Sequence, residues 1–96
     1  MPVTVLITRE LRKDCIPEAF EDIVKLRSLA TLEPGYISGQ TMVSVKNPNK
    51  IVVMSTWESI GRWEDWQASE LRNAYTAKVD PLTASPEQVD VLMDLI

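Results

Sequence analysis

The stretch KIVVMSTWESIGRWEDWQASELRNAY, residues 50–75, changes its periodicity part-way along, and that change decides the fold. Residues 50–57 are rich in β-branched side chains, with apolar positions on both faces, as in a strand. After Ser59 the spacing lengthens: Ile60, Trp63 and Trp66 fall on one side of a helix. Ser59 is the expected N-cap, because its hydroxyl can accept from an amide that the first helical turn leaves free. The helical pattern continues through Leu71, Ala74 and Tyr75 to about Val79. A strand feeding directly into an amphipathic helix is half of a split βαβ arrangement.

The other half lies upstream. Residues 3–8, VTVLIT, alternate and read as a strand, followed by a charged connection over 9–14. Pro17 suits the first turn of a helix, where its missing N–H costs nothing. Ala19, Phe20, Ile23, Val24, Leu26 and Ala30 then recur at helical spacing to about Thr31. Pro34 and Gly35 end that helix. Residues 36–45 alternate again, with Ile37, Thr41, Val43 and Val45 on one face and Tyr36, Ser38, Gln40 and Met42 on the other. The turn NPN at 47–49 makes this strand and residues 50–57 a hairpin. Beyond a loop bracketed by Pro81 and Pro86, residues 88–95 form a last strand.

The order β-α-β-β-α-β predicts a single α+β domain over residues 1–96, ferredoxin-like, with helices on one face of a four-stranded antiparallel sheet. Strand residues on both faces are apolar, so the face without helices needs a cover. A second copy of the chain is the simplest one. The expectation is a homodimer with its sheets packed face to face.

Composition excludes several function classes. The net charge of −4 and the scattered Lys and Arg residues argue against nucleic-acid binding. The absence of histidine removes serine–histidine and cysteine–histidine chemistry and any His-ligated haem or zinc. The one cysteine, Cys15, allows no intrachain disulfide and suits a reducing cytoplasm. Neither a signal peptide nor a membrane span is legible, and no membrane association is expected.

Candidate site residues stand out by placement. All three tryptophans, Trp57, Trp63 and Trp66, fall within ten residues and suggest one aromatic wall, closing a core or lining a pocket for a flat ligand. Arg27 falls between Phe20 and Ile23 on the helical wheel, inside the apolar stripe. It either snorkels past the stripe's edge or meets an anionic oxygen in the helix–sheet gap. Arg9, beside Thr8 at the end of the first strand, has the same two readings. Arg72 falls on the polar side, which favours a solvated role. Tyr75 either orients or protonates a substrate, or packs with its hydroxyl on a backbone carbonyl. Gln67 and Glu70 flank the tryptophans and can hydrogen-bond their indoles. Cys15 has no neighbouring base to activate it.

Two segments together, LATLEPGYISGQ at 29–40 and STWESIGRWEDWQAS at 55–69, resemble the antibiotic biosynthesis monooxygenase (ABM) family, and the resemblance spans nearly the whole chain. It implies a dimeric α+β barrel with a pocket between helices and sheet in each protomer. Activities it implies include cofactor-independent oxygenation of planar polyphenols or quinones, and haem degradation, while the same barrel also serves isomerases, decarboxylases and proteins with no known chemistry. The haem degraders use a strand-one Asn, a helix-two Trp and a His. Trp66 matches the Trp, but Thr8 stands at the Asn and Tyr75 or Thr76 at the His, so haem degradation is not expected. The remaining expectation is a monooxygenase acting on a small planar substrate. Trp66, Trp63 and Tyr36 would form its dry cavity beside Thr8, Tyr75 would handle a proton, and Arg27 or Arg9 would meet the oxyanion. The alternative is a non-catalytic barrel that binds a small ligand.

Overall fold

Strand β1 (Val3–Glu10), helix α1 (Ile16–Ala30), strands β2 (Tyr36–Val43) and β3 (Lys50–Trp57), helices α2 (Ile60–Gln67) and α3 (Glu70–Val79) and strand β4 (Gln88–Leu92) follow one another in the computed structural model, which describes residues 1–96. The strands lie in the order β2-β3-β1-β4, every neighbouring pair antiparallel. This is the ferredoxin-like α+β fold, with the helices on one face of the sheet. No helix is long and apolar enough to cross a membrane.

Alternation along the strands decides what lies beneath the helices. In β1, Val3, Val5, Ile7 and Arg9 face inward and are buried; in β3, Ile51, Val53, Ser55 and Trp57 do the same. From the helices Ala19, Ile23, Leu26, Ala30, Trp63, Trp66 and Val79 complete the core. The opposite sheet face carries Thr4, Leu6, Thr8, Val52, Met54 and Thr56, all half-buried.

Three departures from the sequence reading matter for the site. The helix expected to run unbroken from residue 60 to 79 is two helices. Ala68 closes α2, Ser69 turns extended (φ −68°, ψ 146°), and its hydroxyl accepts from the Arg72 amide to start α3. Nine positions at about 100° each would put Arg72 half a turn away from Trp63 on a continuous helix. The break resets that phase, and Arg72 is buried rather than solvated.

The second departure is in β2. Tyr36 pairs with Trp57, but Ser38 pairs with Thr56, so a bulge at Ile37 absorbs one residue. Tyr36 therefore lies on the inner face, not with Ser38, Gln40 and Met42. The third concerns residues 9 and 10, expected in a charged connection. They belong to β1, whose ladder with β3 runs to the pair Glu10–Lys50, and Arg9 and the following Leu11 are both buried. Strands β2 and β4 are also shorter than expected, stopping at Val43 and Leu92.

Candidate functional site

The helices and the sheet do not close completely on each other. Ile7 and Arg9 of β1, Val53, Ser55 and Trp57 of β3, Tyr36 of β2, and Ile23, Leu26, Arg27, Ala30, Trp63, Trp66 and Arg72 from the helices line a cavity of about 30 Å³. One water needs roughly 10–15 Å³ on this measure. Trp66 also borders a second space, an outer cleft of about 70 Å³ lined by Glu33, Pro34, Arg62 and Asp65. It is the one residue that borders both spaces.

The aromatic wall is built by edge contacts. Tyr36 meets Trp57 with ring centroids 5.4 Å apart and planes at 88°, and Trp57 meets Trp63 at 5.9 Å and 62°. Edge-to-face packing of this kind favours fixed ring positions. The Trp57 indole N–H donates to Ser55 Oγ at 3.0 Å. Neither Gln67 nor Glu70 hydrogen-bonds an indole; a neighbouring strand hydroxyl has taken the role expected of them for Trp57.

Tyr36 holds its place because residue 39 is a glycine. A Cβ there would stand 2.5 Å from Tyr36 Oη and 2.9 Å from the Met54 carbonyl oxygen. Gly39→Ala is therefore expected to lower stability by about 1–3 kcal/mol, as overpacking does. Adding Tyr36→Phe removes the first clash and restores part of the loss in a thermal melt. A double variant no more stable than the single one would place the whole strain at Met54.

Three guanidiniums complete the lining. Arg27 reaches from α1 to β2, where Nη2 donates to the Gly39 carbonyl at 2.6 Å and Nη1 to Thr41 Oγ1 at 3.3 Å. Its partners are neutral. Arg9 and Arg72 share one carboxylate: Arg9 Nη2 lies 2.7 Å from Glu87 Oε2, and Arg72 Nη2 lies 3.3 Å from Glu87 Oε1. Arg72 also lies over the Trp63 ring, 5.3 Å from its centroid. Arg9 Nε is buried and has no hydrogen-bond partner. Burial lowers the Arg9 pKa, the attraction of Glu87 opposes this, and the like charge of Arg72 adds to the lowering.

Glu87 was not legible locally. The ladder between β1 and β4 runs from Thr4–Leu92 to Thr8–Gln88, so the next step places residue 87 opposite Arg9. Only a known register exposes that pairing of opposite charges. The loop carrying Glu87 is tied to the end of β1 by Arg12 N–H to the Leu82 carbonyl at 2.9 Å and Ala84 N–H to the Glu10 carbonyl at 2.7 Å.

Of the candidate residues, Arg9, Arg27, Tyr36, Trp63 and Trp66 meet around one cavity. Thr8 lies on the opposite sheet face, between Val52 and Gln88. Tyr75 is half-buried on α3 under the Lys78 ammonium, 4.7 Å from its ring centroid, and does not line the cavity. Arg72, read as solvated, joins the site. The Cys15 thiol is pushed up by desolvation and by the Asp14 carboxylate, so it stays protonated. No cluster of three or more cysteine or carboxylate side chains comes together to hold a metal.

The fold and site define a ferredoxin-like α+β domain with an aromatic, guanidinium-lined cavity between helices and sheet. The sequence matches the antibiotic biosynthesis monooxygenase family over residues 2–78, and the chain belongs to that family. No curated protein sequence matches it significantly. Among solved structures it is similar to Rv0793 from Mycobacterium tuberculosis, at 22% identity and a TM-score of 0.90, covering 100% of this chain and 97% of that one. A conserved protein from Methanosarcina mazei Go1 gives 12% and 0.91, covering 98% and 93%. A mutant of SnoaB, a cofactor-independent oxygenase from Streptomyces nogalater, gives 10% and 0.88, covering 99% and 94%. At such identities the likeness is one of fold.

Proposed function

We propose that the protein is a cytoplasmic, cofactor-independent monooxygenase acting on a small planar aromatic or quinone-like substrate. The observation that carries this reading is the cavity wall, where Tyr36, Trp57, Trp63 and Trp66 meet three guanidiniums. Aromatic faces suit a flat ring, and fixed cations suit an oxygen that carries or develops negative charge. Family membership and the likeness to an oxygenase that needs no cofactor support the same reading.

In the proposed reaction a phenol is held as its phenolate and reacts with O₂ at a ring carbon. One oxygen atom stays on that carbon, the other leaves as water, and the phenol becomes a quinone. The substrate supplies all four electrons. Arg27 or Arg9 stabilises the oxyanion, which raises the fraction of reactive phenolate. The aromatic wall keeps water away from the oxygenated intermediate. Thr8 and Tyr75 are outside the cavity and take no step here.

A ring needs more room than the closed cavity offers, since about 150 Å³ is a volume that accommodates benzene. Displacement of Trp66 joins cavity and outer cleft and is the proposed route of access. A second reading, a ligand-binding barrel without catalysis, needs only the same aromatic and cationic lining. The half-buried outer sheet face, with Leu6, Val52 and Met54 at its centre, is proposed to pack on a second copy of the chain. Sedimentation at micromolar concentration is expected to give a dimer, and a monomer would remove that part of the proposal.

Oxygen-electrode measurements with dihydroxynaphthalenes under air test the enzymatic reading. Enzyme-dependent uptake is expected, with Trp66→Phe and Arg27→Gln each lowering it at least about tenfold and Tyr75→Phe leaving it intact. Binding of the same compounds without uptake would select the non-catalytic barrel.

A further inference from the structure

The chain carries a net charge of −4, yet every charged side chain lining its cavity is an arginine. We propose that Arg9 and Arg72 form a carboxylate subsite, so that the substrate is a planar aromatic acid, ionised before it binds. This rests on the cavity being a ligand site, as proposed above, and adds a chemical class to it.

Two guanidiniums present roughly ten N–H donors. Glu87 meets one on each, at 2.7 and 3.3 Å. Both side chains are more than nine-tenths buried, at 2% and 5% exposure. Arg9 Nε is fully buried without a partner. A buried donor left unmade costs about 1–3 kcal/mol, more when charged. Such a cost is expected where a ligand removes it.

Glu87 reaches the pair from outside the cavity. It lines an outer recess with Asp80, Thr83 and Pro86 and is absent from the cavity wall. Asp80 adds a longer-range attraction to Arg9 and no contact. Arg9 and Arg72 thus both border the cavity, while the one counter-ion they share is not part of its wall. A carboxylate arriving from the cavity side meets forked donors, the geometry in which arginine binds carboxylates best. Arg27 differs. Its donors already rest on the Gly39 carbonyl and Thr41 hydroxyl, which leaves it the weaker claim on a full negative charge and suits it to an oxyanion that develops during reaction. The substrate would thus be anchored by its acid group at Arg9 and Arg72, with the reacting ring against the tryptophans.

The test compares 2-naphthoate with its neutral isostere 2-naphthylmethanol by calorimetry. The three indole N–H resonances locate the binding, because all three tryptophans line the cavity. Naphthoate is expected to bind at least about tenfold tighter than the alcohol, as one charge-assisted contact allows. Arg72→Gln should reduce that ratio towards one, and Arg72→Lys should keep part of it. Glu87→Gln removes the competing charge and is expected to tighten naphthoate about threefold or more while leaving the alcohol unchanged. This variant keeps the test decisive if Arg72→Gln does not fold. Equal binding of acid and alcohol, or a ratio unmoved by Glu87→Gln, overturns the carboxylate subsite while the aromatic site stands. Failure of both compounds to shift any indole resonance overturns the ligand site and the subsite together.

Discussion

Trp63→Ala is expected to lower the unfolding free energy by about 3–5 kcal/mol, the range for deleting a buried aromatic ring. The Trp63 ring is 2% exposed, edge-on to Trp57 at 5.9 Å and beneath the Arg72 guanidinium at 5.3 Å. Its loss opens a hole beside a cavity that already exists, so neighbours have little reason to collapse into it. It also strips Arg72 of the face that shields its charge, worth a further roughly 0.5–2 kcal/mol. Domains of this size have only about 5–15 kcal/mol to lose. Urea unfolding should show a much lower midpoint with an unchanged slope. A loss under about 1 kcal/mol would mean that the wall is not part of the core. Trp63→Phe keeps an edge contact with Trp57 and should cost distinctly less.

The second large effect is an asymmetry between partners in one ion cluster. Glu87→Ala should destabilise by about 2–4 kcal/mol, a figure reduced from the range for fully buried pairs because Glu87 is 22% exposed. It leaves two buried cations facing each other without a counter-ion. Arg9→Met should be within about 1 kcal/mol of the wild type or more stable, since an apolar side chain of similar length replaces an under-satisfied charge. The pKa shift has the same sense. Burial lowers the Arg9 value, so the folded chain holds that proton less tightly than the unfolded one does. Arginine stays charged throughout the neutral range, and the resulting penalty is constant there. It is relieved only as pH rises towards the lowered folded value. Chemical denaturation of both variants at neutral pH checks the pair. An Arg9→Met variant as damaged as Glu87→Ala would show that Arg9 stabilises the fold rather than burdening it. The opposite result marks Arg9 as a side chain kept for something other than stability.

How far the sequence could be read depended on the range of the interaction involved. Strand alternation, Pro17, Ser59 and the turn at 47–49 are local, and from them the element order and the sheet followed. Phase across a junction was not local. Summing rotation from Trp63 to Arg72 assumed one helix, and Ser69, itself a good N-cap, interrupts it. The bulge at Ile37 changed the face of Tyr36 in the same way, by one residue. Glu87 was the least visible, since its meaning depends on the pairing of strands about eighty positions apart in the chain. Thr8 came from the resemblance and Tyr75 from the helical pattern together with it, and neither fixed side-chain direction at those positions.

The serine junction between α2 and α3 separates two instructions that a single helix would have bound together. Trp63 and Trp66 are oriented by the cap at Ser59, whereas Arg72 is oriented by the cap at Ser69. Loss or gain of one residue at Ala68 would rotate α3 by about 100° while α2 kept its setting. A neighbour of Arg72 on the helix would then be presented to the interior in its place. Such a change would exchange the polar tip of the chamber without rebuilding its aromatic side. The chemistry of recognition becomes an interchangeable part, mounted on a fixed frame by a single hydroxyl.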